Sequence, residues 1–540
     1  MNRSLNIVIL GGAGVFGSRL AELLAHDGHT VWIAGRSLQR ARDTAKRLNK
    51  KAIQLHRGPD LSALDGLFID ALVDAAGPFH AYGDDPYALP RACLQSGIHY
   101  LDLSDDAEFC AGISALDDTA KTAGCIALSG VSSTPALSSS AVAHLAKDMS
   151  KINTIDTAIL PGNRAPRGRS VMASILSQVG TSRPHRIAGQ TVPFRSWSSR
   201  KSYTLPGGLK RWGWWIETPD QRLLPDAFDA QTGTFRAGLE LPIMNHGLVL
   251  ISRLRAATKA PMPGWVIRLM ELAAKALAPF GSDKGGMVVT VTGREDNDIK
   301  TKTWSLLAEA GEGPYIPAIP ARTLLRHLHE IPPGARPALA ERPLEDYTAA
   351  MSDLAIRFET HSAQTAPLIP RLLSPAFDTL PDAVKDSHRV HAPRRFEGRA
   401  SITRGQGLYP LLIALLFRFP DASEDVPVSV VKTPTETGET WTRTFGARSF
   451  SSHLSRWAGG LTERFGPMIF AIDLTPQTDR LSWPVTAAFL PGHIPLPAWS
   501  LPVSYASETE KDGVFQFDVA IHAPLTKELV VRYQGYLKPV

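Results

Sequence analysis

Short apolar runs alternate with amphipathic stretches through the first 145 residues. Runs rich in Val, Ile, Leu and Ala, bounded by Gly, Asn or Asp, predict strands at Asn6–Leu10, Thr30–Ala34, Ala52–Leu55, Ala71–Ala75, Tyr100–Leu103 and Ile126–Ser129. Between them, helical spacing of apolar residues predicts helices near Val15–His26, Leu38–Leu48, Tyr87–Ser96 and Ile113–Ala123. Ser37 stands where an N-cap belongs, and Gly97 and Gly124 where helices end. Strand–helix alternation of this kind builds a parallel α/β sheet with helices on its faces.

The pattern then changes. Residues 146–360 mix strands, at Asp156–Leu160 and Met287–Thr292, with a helical run at Trp265–Leu277, and are expected to form an α+β domain serving substrate or dimer contact. A Pro-rich stretch from Thr365 to Pro393 reads as a linker, placed at 361–400. Residues 401–540 carry β-prone segments at Val428–Val431, Thr440–Phe445, Met468–Leu474, Phe515–Ile521 and Leu529–Tyr536, set apart by Gly/Pro turns. An antiparallel, β-rich domain is expected there.

Composition narrows the class. At 540 residues the chain exceeds one core, and 44% hydrophobic with 20% charged residues is ordinary for a globular protein. The net charge of +6 is scattered, with no basic arm for nucleic acid. Cys93, Cys110 and Cys125 lack metal-ligand spacing, so neither a disulfide framework nor a metal site is expected, in keeping with a reducing cytoplasm. The apolar run Leu5–Leu10 breaks at Gly11-Gly12 with no cleavage site after it, which suits a strand entering a turn better than a signal sequence. The apolar stretch Leu408–Phe417 is too short to span a bilayer.

The turn after the first strand carries the chemistry. Gly12, Gly14 and Gly17 form G-x-G-x-x-G between a strand and a helix, with Ala13, Val15 and Phe16 between them. Such glycines allow a tight turn, backbone approach to a pyrophosphate and close packing of the helix, whose N-terminus attracts phosphate. This predicts a Rossmann-type, dinucleotide-binding domain over residues 1–145. The second strand ends Gly35-Arg36-Ser37, with Arg40 a turn later and no acidic residue for the ribose hydroxyls of NAD. The Arg36 fork suits a 2′-phosphate, so NADP(H) is the expected cofactor. Ala76, Gly77, Pro78 and Phe79, in the loop after the fourth strand, are expected beside the nicotinamide. The glycines at 11, 14 and 17 also fit a short-chain dehydrogenase pattern, but no tyrosine has the lysine four residues on that this chemistry needs.

These motifs, with Gly97-Ile98-His99-Tyr100-Leu101-Asp102-Leu103, Ser129-Gly130-Val131-Ser132-Ser133-Thr134-Pro135, Gly281-Ser282-Asp283-Lys284-Gly285-Gly286 and Gly311-Glu312-Gly313-Pro314-Tyr315, resemble the saccharopine dehydrogenase-like NADP-binding family over about residues 5–350. The resemblance implies a reductase whose middle domain walls the substrate and often contacts a second copy. The chain departs from it at Ser104-Asp105-Asp106, where many relatives have Gly-Glu, and that argues against an amino-acid-type substrate. The carboxy-terminal part resembles an uncharacterised bacterial domain found fused to such reductases.

Hydride transfer is cofactor chemistry, and the protein must supply a proton. Tyr82 and Asp102 are the expected catalytic residues, with His80, Ser132 and Ser133 as weaker candidates. Trp212–Trp215 and the basic, apolar segment Leu241–Phe280 point to a greasy substrate, a peripheral membrane contact, or a core and homodimer interface. The resulting expectation is an NADP(H)-dependent oxidoreductase reducing a C=C, C=O or C=N bond of a moderately hydrophobic metabolite. A non-catalytic NADP(H) sensor or scaffold and a peripheral lipid-associated protein are the alternatives.

Overall fold

The computed structural model describes residues 3–166, 169–259, 262–296, 298–364, 366–417, 419–435, 437–457, 460–466, 468–492 and 494–540. Residues 260 and 261 of the apolar middle segment, and Thr365, fall outside these. The chain divides into two units, 1–363 and 364–540.

In the first unit, β1 (Asn6–Leu10), β2 (Thr30–Gly35), β3 (Lys51–Gln54), β4 (Ala71–Asp74), β5 (His99–Asp102) and β6 (Ile126–Ser129) pair in parallel with helices between them. Each expected strand is present to within a residue or so. Helices α1 (Val15–His26) and α2 (Leu38–Leu48) follow β1 and β2. Apart from Asn6, the residues of β1 and β4 are buried, Ile7, Val8, Ile9, Leu72 and Val73 among them, as the unbroken apolar runs require. The order across the sheet is Gly334–Pro337, β6, β5, β4, β1, β2, β3. The first strand in that order corrects the expected boundary at 145. The chain leaves for the middle domain and returns, adding Gly334–Pro337 in parallel to β6. An ion cluster seals the return: Arg322, 1% exposed, donates to Asp27 at the end of α1 and to Asp353.

The middle domain is a mixed seven-stranded sheet among the described residues, in the order Lys201–Leu205, Leu209–Trp215, Thr232–Ala237, Lys151–Leu160, Gly285–Glu295, Asp298–Ala308, Ile356–Gln364. Helices Pro242–Thr258 and Gly264–Leu277 belong to the same domain.

The second unit is one antiparallel sheet, 13-stranded among the described residues. The expected linker is not an extended connector. Helices Leu368–Leu373 and Asp382–His388 bury Leu368, Ile369 and Val384 in the same core as Phe396 and Trp441, and the strand Arg394–Arg404 already belongs to the sheet. Among the described residues no helix is long and apolar enough to cross a membrane.

Candidate functional site

Ligands of a doubly wound sheet bind outside the carboxyl ends of its strands, where strand order reverses. Here that point lies between β1 and β4. The turn after β1 is made by Gly11, whose φ of +78° lies in the left-handed region. A Cβ at Gly11 would lie 2.8 Å from the backbone of Ala75 and Ala76, so this glycine also lets the end of β4 close over the turn. The expected assignment of the turn to Gly12 therefore shifts by one residue, and the Gly-Gly doublet was the available signal. A Cβ at Gly12 would lie 2.9 Å from the Ile9 carbonyl, and one at Gly17 would strike the Gly11 carbonyl. Gly14 caps α1 without any side-chain hydrogen bond, and Ala13 is half-buried beside it. The amides of Val15, Phe16 and Gly17 are left at the positive end of the helix, as a pyrophosphate requires.

At the end of β2, a Cβ on Gly35 would meet nothing within 4 Å, and Arg36 is exposed beside that open space. Ser37 caps α2 by accepting the Arg40 amide at 3.4 Å, and the exposed Arg40 side chain stands one turn further on. These residues fit a dinucleotide carrying an extra phosphate on its adenosine. The glycine cradle would be filled by any Cβ, and the guanidinium of Arg36 stands where NAD-binding domains place a carboxylate.

Across the switch point, Ala75, Gly77, Pro78 and Phe79 line a cleft of about 340 Å³ together with Phe16, Asp105, Ser132 and Ser133. Ala76 sits just behind; its carbonyl accepts a hydrogen bond from the Arg57 guanidinium. The far wall comes from the middle domain and is apolar, with Trp197, Phe235, Met244, Leu248 and Met270 facing in. Of the Trp212–Trp215 group, Trp214 is buried and stacks at 6.1 Å on Trp197. The same two helices turn a second apolar face outward, where Ile243, Leu250, Leu254, Trp265, Leu269 and Leu272 are all exposed.

The two expected catalytic residues lie behind this cleft. Tyr82 donates its hydroxyl proton to the buried Asp74 at 3.1 Å, and the Arg57 guanidinium covers its ring at 3.3 Å. Burial, then the Asp74 charge, holds the Tyr82 phenol far above its ordinary range. Asp102 is fully buried; its Oδ1 accepts from Ser104 N at 3.0 Å, Ser129 Oγ at 2.9 Å and Gly130 N at 2.9 Å. Burial pushes its carboxyl up to about 7, but the group ties the ends of β5 and β6 together and does not line the cleft. His80 is exposed in the loop after β4. Asp105, which the sequence singled out only as a departure, opens into the cleft while protein crowds its other sides. That desolvation raises its carboxyl, and Ser174 donates to it at 3.4 Å. Its neighbour Asp106 has turned away to cap the helix Ala107–Gly112, accepting the Phe109 amide at 2.8 Å. Arg57 had no sequence signal, because it reaches the site only through the fold.

Residues 7–128 match the saccharopine dehydrogenase NADP binding domain. The glycine cradle lies within that matched stretch. Residues 380–537 match a domain of unknown function, DUF4166. The trans-acting enoyl reductases of Mycobacterium tuberculosis and Mycobacterium bovis are 33% identical over 116 residues, 20% of this chain. That stretch is 27% of the relatives' length, so the chain matches about a quarter of each. Among solved structures, saccharopine dehydrogenase (L-Glu forming) from Saccharomyces cerevisiae is 15% identical over 66% of this chain and 100% of its own, with a TM-score of 0.48. Homospermidine synthase from Legionella pneumophila, in complex with NAD, is 14% identical over 68% of this chain and 94% of its own, with a TM-score of 0.47.

Proposed function

We propose that the chain is an NADP(H)-dependent oxidoreductase that reduces a double bond in a moderately hydrophobic metabolite. The observation that carries this reading is one continuous cleft, with the nicotinamide-side loop Gly77–Phe79 on one side and the apolar wall of Trp197, Phe235 and Leu248 on the other. NADPH, when bound, supplies the hydride. The chain's own part is to exclude water with Phe79 and the apolar wall, to orient the substrate, and to manage a proton. Asp105, Glu217 and Asp283 are the acidic groups that line the cleft; Glu217 is paired with Arg183, and we favour Asp105, on the loop after β5, whereas Tyr82 and Asp102 do not line it. Among C=C, C=O and C=N bonds, we favour a C=C bond conjugated to a carbonyl. It needs an apolar seat for the carbon skeleton, and the mycobacterial relatives are named enoyl reductases. The purified chain mixed with NADPH and α,β-unsaturated acyl thioesters or ketones should oxidise the cofactor, followed by the loss of reduced-nicotinamide absorbance. Tight NADPH binding with no oxidation by any hydrophobic acceptor would favour a sensor role instead.

The outward faces of helices Pro242–Thr258 and Gly264–Leu277 favour a membrane surface as the source of that substrate. Their exposed Leu and Trp side chains are interspersed with the exposed Arg253 and Arg268, and their inner faces line the cleft. The chain should float with anionic vesicles, and Leu250→Glu with Leu254→Glu should release it. Formation of a dimer that the same double variant disrupts, without flotation, would assign the face to a second copy.

A further inference from the structure

The carboxy-terminal unit holds a cavity of about 200 Å³ that shares no residue with the NADP-binding unit. One face of the antiparallel sheet curls round it, from Val430 and Trp441 to Phe517 and Tyr533. Alternate residues point in, as in Phe515, Phe517, Val519 and Ile521, which is strand periodicity put to use. Ile413 and Phe417, from the helix Leu408–Leu416 and its end, complete the lining.

Inside this aromatic cup the charged groups are few and balanced. Arg443 is engaged, donating to Ser452 Oγ at 2.7 Å and Glu463 at 3.2 Å. Glu508 is held by His388 Nε2 at 2.6 Å. Lys432 differs. It is 2% exposed, and its ammonium donates to the Ser387 carbonyl at 2.9 Å and, weakly, to Ser387 Oγ at 3.5 Å. The ammonium also lies 4.0 Å from the centre of the Trp441 ring. No carboxylate among the described residues comes within ion-pair distance of it. An ammonium has three N–H donors, and apolar surroundings make an unused one costly. Burial accordingly lowers its pKa to about 8.

We propose that this cavity is a binding site for an uncharged, largely hydrocarbon molecule whose single carbonyl oxygen accepts a hydrogen bond from Lys432. A neutral carbonyl meets that donor without stripping water from a second charge in an apolar cup, a cost that an anionic head would carry. The volume suits a molecule of roughly seven to ten non-hydrogen atoms, given that a dry cavity of ~150 Å³ accommodates benzene.

Isothermal titration of the full chain with 2-octanone should show one saturable site, with octanoate binding at least tenfold more weakly. Lys432→Met should weaken 2-octanone about tenfold. Ala506→Phe, which fills the cavity from its wall and leaves every charge in place, should abolish binding while the near-ultraviolet circular dichroism of the domain is retained. Octanoate binding as tightly as the ketone, heat unchanged in Ala506→Phe, or no saturable heat at all would overturn the assignment. Should Lys432→Met fail to fold, the octanoate comparison and the Ala506→Phe variant still decide it.

Discussion

Arg36 and Asp105 carry the cofactor and proton readings, and each can be tested alone. The Arg36 guanidinium stands at the end of β2 beside open space, where an extra phosphate would meet it. Charge-assisted hydrogen bonds contribute about 1.5–3 kcal/mol, so Arg36→Asp should weaken NADPH by roughly ten- to a hundredfold. NADH, lacking that phosphate, should change little. Equal losses for both nucleotides in a fluorescence titration would return Arg36 to the role of a solvated turn residue. For Asp105, desolvation first and then the charge of Asp106 raise the carboxyl, against the opposing effects of Ser174 and His80. The protonated acid therefore persists above the ordinary aspartate range, and turnover should fall as pH rises through that raised value. Asp105→Asn should lower kcat about a hundredfold or more and flatten the limb, because general acids contribute ~10²–10⁴-fold. A limb that survives in the variant belongs to another group. Neither residue's role depended on its neighbours in sequence alone. Arg36 was legible because the end of a second strand has a known duty, whereas Asp105 was hidden because Ser104-Asp105-Asp106 does not disclose which carboxylate caps the next helix.

At the scale of elements, the middle sheet is pinned by one buried charge cluster. Asp156, on the strand Lys151–Leu160, takes Lys201 Nζ at 2.6 Å, Arg236 Nη1 at 2.6 Å and the Tyr203 hydroxyl at 3.0 Å, with Thr234 Oγ1 also bonded. These partners come from strands Lys201–Leu205 and Thr232–Ala237, so a single carboxylate holds three strands in register. Burial alone would raise its pKa, but Lys201 and Arg236 outweigh it and bring it to about 2. Since the folded value lies below the ordinary 3.8, the stabilisation is complete at neutral pH. It drains away as pH falls from about 3.8 through about 2. Asp156→Asn should cost about 3–5 kcal/mol at pH 7, read from guanidinium unfolding, because it strands the buried Arg236 guanidinium and takes the carboxylate from the partly exposed Lys201. The variant's stability should depend less on pH across that acid window. No sequence pattern announces this cluster, since its members are 80 residues apart at the extreme. The proline-rich stretch misled for a local reason. Pro367 and Pro381 are the cap residues of the helices that follow them, where a missing N–H costs nothing, so the prolines begin helices and do not mark an extended connector.

At the scale of the whole molecule, the question is where the chain can be divided. Apolar periodicity placed a boundary near 145, because β1 to β6 announce themselves as apolar runs and the pattern changes after them. Gly334–Pro337 has no such run; Gly-Ala-Arg-Pro becomes a strand only because β6 offers it an unpaired edge. The core confirms the return of the chain: Ile9, Leu20 and Val73 share one buried cluster with Leu324, Tyr347 and Met351. By contrast, the buried residues of 364–540 form a separate cluster from Leu368 to Leu537. A fragment ending at 147 would lose the edge strand and the Arg322 side of the Asp27 cluster. It would expose the unpaired edge of β6 and leave Asp27, now held far below its ordinary range, without its guanidinium partners. It should be insoluble or fail to bind NADPH. A fragment ending at 363 keeps the whole of the first unit, so its NADPH affinity should equal that of the full chain within about twofold by calorimetry. If the shorter fragment binds NADPH as tightly as the longer one, the returning segment is an ornament on the sheet and not a part of the domain. If the longer one fails, the cofactor site depends on residues beyond 363.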